Sequence, residues 1–143
     1  MADLEPLIRY RKHTVDEKQK VLGELYRQSE ELQQQKEAVE EEMEHEKKMA
    51  EEMATLEASA YLGRYLEGAK AKIAAIDAAL HQLESKIAIA REDMRNAFAE
   101  MKKVEITQRN RKDREKAELQ KKEDLELDAN AIENYRRRQE EDS

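Results

Sequence analysis

Histidine and cysteine, which are frequent ligands of transition metals, are sparse in this chain of 143 residues, which contains three histidines and no cysteine. Without cysteine there is neither a thiolate metal ligand nor a disulfide. His45 has Glu44 and Glu46 beside it, and a hairpin would bring it near His81, so a site of two histidines and a carboxylate is conceivable. Such a site needs an enclosed second shell, which two helices do not provide. We therefore expect solvated histidines, His13 included, and no metal.

The charged clusters are better explained by solvated helix faces than by catalysis or nucleic-acid binding. The run Glu40–Glu42 opens a strongly acidic stretch, but paired carboxylates act as acid and base only when burial separates their pKa values. Basic and acidic residues alternate between Arg109 and Glu123, and stacking aromatics are absent there. The net charge of -7 also argues, weakly, against general nucleic-acid binding. A nucleic-acid-binding arm remains an alternative, which steep salt dependence would reveal.

Sequence motifs typical of enzymes are absent from the chain. There is no Gly-rich phosphate loop, no Walker-like motif, and no serine nucleophile beside a base. We predict no catalytic residues, no cofactor and no small-molecule substrate. The first residues, 1–11, lack the apolar stretch of a secretion signal, and no apolar run approaches the roughly 20 residues of a membrane helix.

The apolar residues instead follow a heptad pattern. Between Leu66 and Val104, apolar residues recur alternately three and four positions apart, which is the signature of a helix supercoiled against another helix. We call these positions the seam. Its twelve members are Leu66, Ala69, Ile73, Ile76, Leu80, Leu83, Ile87, Ala90, Met94, Ala97, Met101 and Val104. With 43% charged and 4% aromatic residues, the chain can build a long thin core but not a wide one.

A weaker heptad pattern precedes this one. It starts near Asp3, a candidate N-cap, and several charged residues occupy its seam positions. Its apolar seam members are Leu4, Ile8, Val15, Leu22, Leu25, Leu32, Val39, Met43, Ala50, Met53 and Ala60. Between the two patterns lie Gly63 and Gly68, which disfavour a helix interior. We predict a single coiled-coil domain, residues 1–143, with arm 1 at about 4–60, a turn at about 61–68 and arm 2 at about 69–140. In that register Leu4 meets the region of Gln120.

The predicted fold is therefore all-α, a two-helix antiparallel coiled-coil hairpin with a longer C-terminal helix. We expect a monomer, and the alternative is one continuous helix in a parallel dimer. Four large residues at the predicted turn either close the end of the coil or anchor a partner, because tyrosines bury much area with few rotors. They are Tyr61, Leu62, Tyr65 and Leu66.

The N-terminal segment from Leu4 to Arg11 carries a leucine, a proline and a second leucine, followed by a hydrophobic and a basic residue, ahead of charged heptads. This run resembles the start of FliJ-type flagellar export proteins. The stretch from Lys103 to Ala131 is similar to the charged C-terminal region of that family, which often ends in an acidic pair, any residue and alanine. Ala129 stands where the acidic residue is common.

The resemblance implies a soluble component of the flagellar type III export apparatus, similar to the central stalk of rotary ATPases. Family members insert the end that holds both termini into a hexameric export ATPase, contact the membrane export gate and help to hand on export chaperones. The implied location is cytoplasmic, at the inner membrane through the export apparatus. Whether an injectisome replaces the flagellum stays open.

On this hypothesis two groups of residues face partners. The residues expected to face the ATPase are Leu4, Leu7, Ile8, Leu125, Ile132, Tyr135, Arg136, Arg137 and Arg138. Those expected to face the gate are Tyr61, Leu62, Tyr65 and Leu66. A frayed tail is the alternative for the three arginines. A generic scaffold without an ATPase is the main rival function, and a prefoldin-type chaperone is disfavoured because residues 61–68 leave no room for strands.

Overall fold

In the computed structural model, which describes residues 3–142, nearly the whole chain is helical. Helix α1 is Glu5–Met53 and helix α2 is Leu56–Asp142, and no strand occurs among the described residues. The only proline, Pro6, falls in the first turn of α1, where a helix needs no amide donor. The chain is a helical hairpin with a longer second helix, which confirms the predicted fold class.

The seam in α2 is confirmed residue by residue. All twelve predicted positions from Leu66 to Val104 are buried or half-buried, and Ala69, Leu83 and Met101 are among the most buried residues of the protein. In α1, the corresponding buried residues are Ile8, Val15 and Leu22. Since each helix buries only one stripe, the core is a single line of side chains between two helices.

The chain forms two compact units, residues 13–98 and residues 1–12 together with 99–143. In the first unit, the Lys36 ammonium lies 2.9 Å from the Asp77 carboxylate. Further from the turn, the Arg91 guanidinium donates to the Tyr26 hydroxyl at 2.7 Å and lies over the Tyr26 ring. These contacts pair the two helices antiparallel. That all 143 residues form one domain stays a prediction, and Met1, Ala2 and Ser143 lie outside the described residues.

The turn between the helices is Ala54–Thr55, not residues 61–68 as predicted. Ala54 has a φ of 46°, and its amide donates to the Ala50 carbonyl, which is the usual single bond of a left-handed C-terminal cap. Thr55 is the N-cap of α2, because its hydroxyl accepts the Ala58 amide at 3.1 Å. Gly63 lies inside α2, so the expected bounds of both arms are also wrong.

In the second unit, the start of α1 is fastened to α2 by a buried amide. The Gln108 side chain donates to the Asp3 carboxylate at 2.9 Å and accepts the Leu4 amide at 3.4 Å. The same Asp3 oxygen accepts the Glu5 amide at 3.1 Å, so Asp3 caps the first turn as the sequence indicated. Leu4 therefore meets Gln108 and not the region of Gln120, because the earlier turn shifts the register toward the N-terminus of α2.

Candidate partner-binding surfaces

The register leaves the C-terminal part of α2 without a partner helix. From Lys112 to Asp142, every residue except Glu133 is exposed, and we call this segment the overhang. A helix of this length spans roughly 45 Å. It is longer than the overhang expected from the sequence, because pairing ends about a dozen residues earlier.

Large apolar side chains of the overhang are open to solvent. Leu125 is 61% exposed and Ile132 is 71% exposed, and Tyr135 is exposed as well. Leu125, Ala129 and Ile132 continue the three-four spacing of the seam, so they lie on one helix face. Exposed apolar residues that hold a coiled-coil frame are typical of a surface that another helix or a binding cleft covers.

The three arginines at the end of the overhang are held differently from one another. Arg136 lies 2.9 Å and Arg137 lies 3.6 Å from the same Glu133 oxygen. Arg138 forms no ion pair with any residue between 3 and 142. Exposed pairs of this type contribute little to stability, so the guanidinium groups can exchange Glu133 for acceptors on a partner at small cost.

The N-terminal residues expected at the same site lie elsewhere on this unit. Leu4 and Leu7 start the helix pair beside Gln108, and Leu7 is partly exposed. Ile8 is only 6% exposed and belongs to the core. Since Leu125 follows Gln108 by 17 positions, it lies roughly 25 Å further along α2. The predicted ATPase-facing residues therefore fall into two groups, one where α1 packs against α2 and one on the unpaired overhang.

The residues expected at the turn form a half-buried cluster one to three turns into α2. Tyr61 and Tyr65 stack with ring centroids 6.3 Å apart. Burial raises the pKa of the Tyr65 hydroxyl, and the negative charges of Glu42 and Glu46 raise it further. Leu62 and Leu66 are half-buried, and Leu66 is the first residue of the seam. Of these four side chains, only that of Tyr61 is largely exposed.

Sequence reasoning missed the apolar residues that surround the true turn. Met53 is 64% exposed, Leu56 is more exposed still, and Met49 is exposed as well. Together with Tyr61 and Ala58, both methionines line a groove of about 540 Å³. We call it the turn groove. The sequence held one weak indication of this turn: Thr55 followed by Leu56 and Glu57 is typical of a helix start.

The histidines are not brought together in the structure. His13 pairs with Glu17 and His81 with Glu84, each on its own helix. His45 lies in an acidic stretch of α1. Within residues 3–142 there is no group of three or more potential metal ligands. The same part of the chain contains no helix that is long and apolar enough to span a membrane.

A helical hairpin that carries an unpaired helix with exposed apolar residues and an apolar groove beside its turn defines a protein of the coiled-coil class. Comparison with protein families identifies which one: the model for the flagellar FliJ protein matches residues 1–140. The chain belongs to the FliJ family, whose members are non-enzymatic components of the flagellar export apparatus. No curated protein and no solved structure shows a significant match to it.

Proposed function

We propose that this protein is a stalk of the flagellar export machinery, which inserts its overhang into a hexameric export ATPase and promotes the assembly and activity of that ring. The observation that supports the proposal is the unpaired heptad face of the overhang, centred on Leu125 and Ile132. A single helix is about 10 to 12 Å across, which is narrow enough for the opening of a ring.

The overhang cannot contact six equivalent subunits equally, because a single helix has no sixfold symmetry and the heptad face with Leu125 and Ile132 lies on one side of it. Leu125 and Ile132 would therefore engage one or two subunits at a time. Full burial of these two side chains is worth about 3 to 6 kcal/mol, so an ordered insertion is energetically reasonable. Arg136, Arg137 and Arg138 would add contacts to carboxylates near the opening.

The turn groove lies where α1 ends and α2 begins. We assign it to the export gate, a membrane protein whose cytoplasmic side would receive Tyr61 and its neighbours. Export chaperones would bind the exposed sides of the hairpin. In this scheme the protein is cytoplasmic, is held at the inner membrane by its partners alone, and is monomeric when free. It takes no small molecule and no nucleic acid.

The test is the rate of ATP hydrolysis by a purified export ATPase, titrated with the protein. Stimulation should saturate at about one chain per hexamer. Leu125→Ser with Ile132→Ser should raise the concentration needed for half-maximal stimulation at least tenfold. Ile89→Ser is the matched control, because Ile89 is 64% exposed but lies in the other unit. Equal loss in the control and the overhang variant would contradict the assignment.

A second variant tests the three arginines near the end of the overhang. Replacing Arg136, Arg137 and Arg138 together by glutamate should weaken stimulation, since it places three negative charges where acceptors are expected. Unchanged stimulation by this triple variant would remove the arginines from the interface and leave the apolar face as the only contact.

A further inference from the structure

The turn groove has a composition that specifies what it can bind. Its floor is apolar and comes from both helices: Met49, Ala50 and Met53 from α1, with Ala58 and Tyr61 from α2. Methionine side chains are unbranched and adapt to differently shaped apolar groups. The groove is therefore suited to aliphatic side chains inserted by another protein.

The rim of the groove is acidic. Glu46 and Glu57 line it, and neither carboxylate forms an ion pair with any of the described residues 3–142. The surrounding segment, residues 37–57, contains nine glutamates and two lysines. Carboxylates this dense create a negative potential around an apolar surface, and such a potential attracts basic partners and repels acidic ones.

We propose that the turn groove binds a short amphipathic segment of a partner protein, one that presents aliphatic side chains on one face and lysine or arginine beside them. This inference rests on the proposed function, because it describes the chemistry of the partner at the end assigned to the export gate. The aliphatic face would cover Met49, Met53 and Tyr61, while the basic residues would neutralise Glu46 and Glu57.

Charge complementarity also argues against the two other occupants of an exposed apolar surface. Anionic phospholipids would be repelled by the glutamates that surround the groove. A second copy of the chain carries a net charge of -7. Its overhang is acidic on balance as well, since residues 112–142 contain eleven acidic residues against eight basic ones. A basic segment is the occupant that removes both the exposed apolar area and the uncompensated charge.

The experiment uses the full chain and two labelled helical peptides of 14 residues. Both peptides carry leucines on one face. The first has lysines on the other face, and the second has glutamates in their place. Binding is followed by fluorescence anisotropy at low and high salt. We expect saturable binding of the lysine peptide, and binding of the glutamate peptide at least tenfold weaker.

Two variants locate the site. Met49→Gln with Met53→Gln removes the apolar floor but keeps good helix formers, and it should weaken binding of the lysine peptide about tenfold. Glu46→Gln with Glu57→Gln should weaken it about threefold to tenfold at low salt and have little effect at 1 M salt.

Matched controls exclude general effects of composition and charge. Ile89→Gln changes a residue as exposed as Met53 but outside the groove. Glu30→Gln with Glu118→Gln removes the same charge from exposed positions outside the acidic segment 37–57. Neither control should change the affinity. Circular dichroism should show unchanged helix content for every variant.

The inference is overturned if the two peptides bind equally, if neither binds, or if the controls weaken binding as much as the groove variants. Vesicles of phosphatidylglycerol that bind the chain through Met49 and Met53 would also overturn it, as would self-association that the methionine variant abolishes. ATPase stimulation by the unsubstituted chain separates this result from the proposed function. Intact stimulation without peptide binding refutes the groove ligand alone, and peptide binding without stimulation refutes the stalk.

Discussion

Replacing Gly63 and Gly68 by alanine should stabilise the hairpin, because both glycines lie in the interior of α2. A methyl group built at either position meets no atom within 4 Å, so alanine fits without a clash. Neither glycine has a positive φ. The reverse exchange, Ala54→Gly, should also stabilise the hairpin, since Ala54 at φ 46° occupies the left-handed region that favours glycine.

The magnitudes follow from helix propensity. Alanine is better than glycine in a helix interior by about 1 kcal/mol, so the double variant should gain about 1 to 2 kcal/mol in the free energy of unfolding. Left-handed backbone costs alanine roughly 1 to 2 kcal/mol, and the greater freedom of glycine in the unfolded chain offsets part of that cost. We expect a net gain of about 0.5 kcal/mol for Ala54→Gly.

Urea unfolding followed by circular dichroism at 222 nm measures these changes through the midpoint and the slope. In thermal unfolding, a gain of 1 kcal/mol should raise the Tm by about 2 to 4 °C for a chain of this size. If the chain turned at Gly63 instead, alanine there would be forced into a left-handed or strained conformation. Destabilisation by Gly63→Ala, together with no gain from Ala54→Gly, would therefore refute the turn at residues 54–55.

Three further predictions concern single side chains. Thr55→Ala should cost about 1 kcal/mol of stability in urea unfolding, with Thr55→Ser close to wild type, because the Thr55 hydroxyl caps α2. Gln108→Ala should lower the free energy of unfolding by about 1 to 2 kcal/mol and speed amide hydrogen exchange at the start of α1. Unchanged exchange there would show that the hydrogen bond from Gln108 to Asp3 does not hold the start of α1 against α2. The hydrogen bond to Asp77 raises the pKa of Lys36, so the stability that this ion pair contributes is complete below about pH 10.5 and is lost as the pH rises through the raised pKa. Lys36→Met should therefore reduce the loss of stability across this alkaline range in pH-dependent unfolding. An identical pH profile in the variant would contradict the role of the ion pair.

The sequence was sufficient to predict the seam, because heptad spacing encodes which face of a helix is buried whatever its partner is. Leu66 to Val104 carried that signal without interruption, and every predicted position is buried or half-buried. Arm 1 was predicted less completely: Val15 and Leu22 are buried, but Met53, expected in the seam, is exposed.

The position of the turn was not predictable from the same signal. A heptad repeat supplies an apolar partner in many registers, so local turn chemistry decides between them. Paired glycines suggested a turn at 61–68, but the cap made by Thr55 and the left-handed Ala54 place it earlier. Alanine rarely adopts positive φ, which is why this turn has no strong sequence signature. Because the turn was predicted too late in the chain, the predicted register and the predicted length of the overhang were also wrong, and the turn groove was missed.

Site-specific crosslinking to the ATPase ring tests the stalk assignment most directly, and the absence of native cysteine makes it clean. A single cysteine is placed in the overhang by Asn130→Cys or near the turn by Ala60→Cys, and each is labelled with a photoreactive group. We expect the overhang label to crosslink to one or two subunits of each hexamer and the turn label to crosslink to none. Efficient crosslinking from residue 60, with none from residue 130, would contradict the insertion of the overhang into the ring.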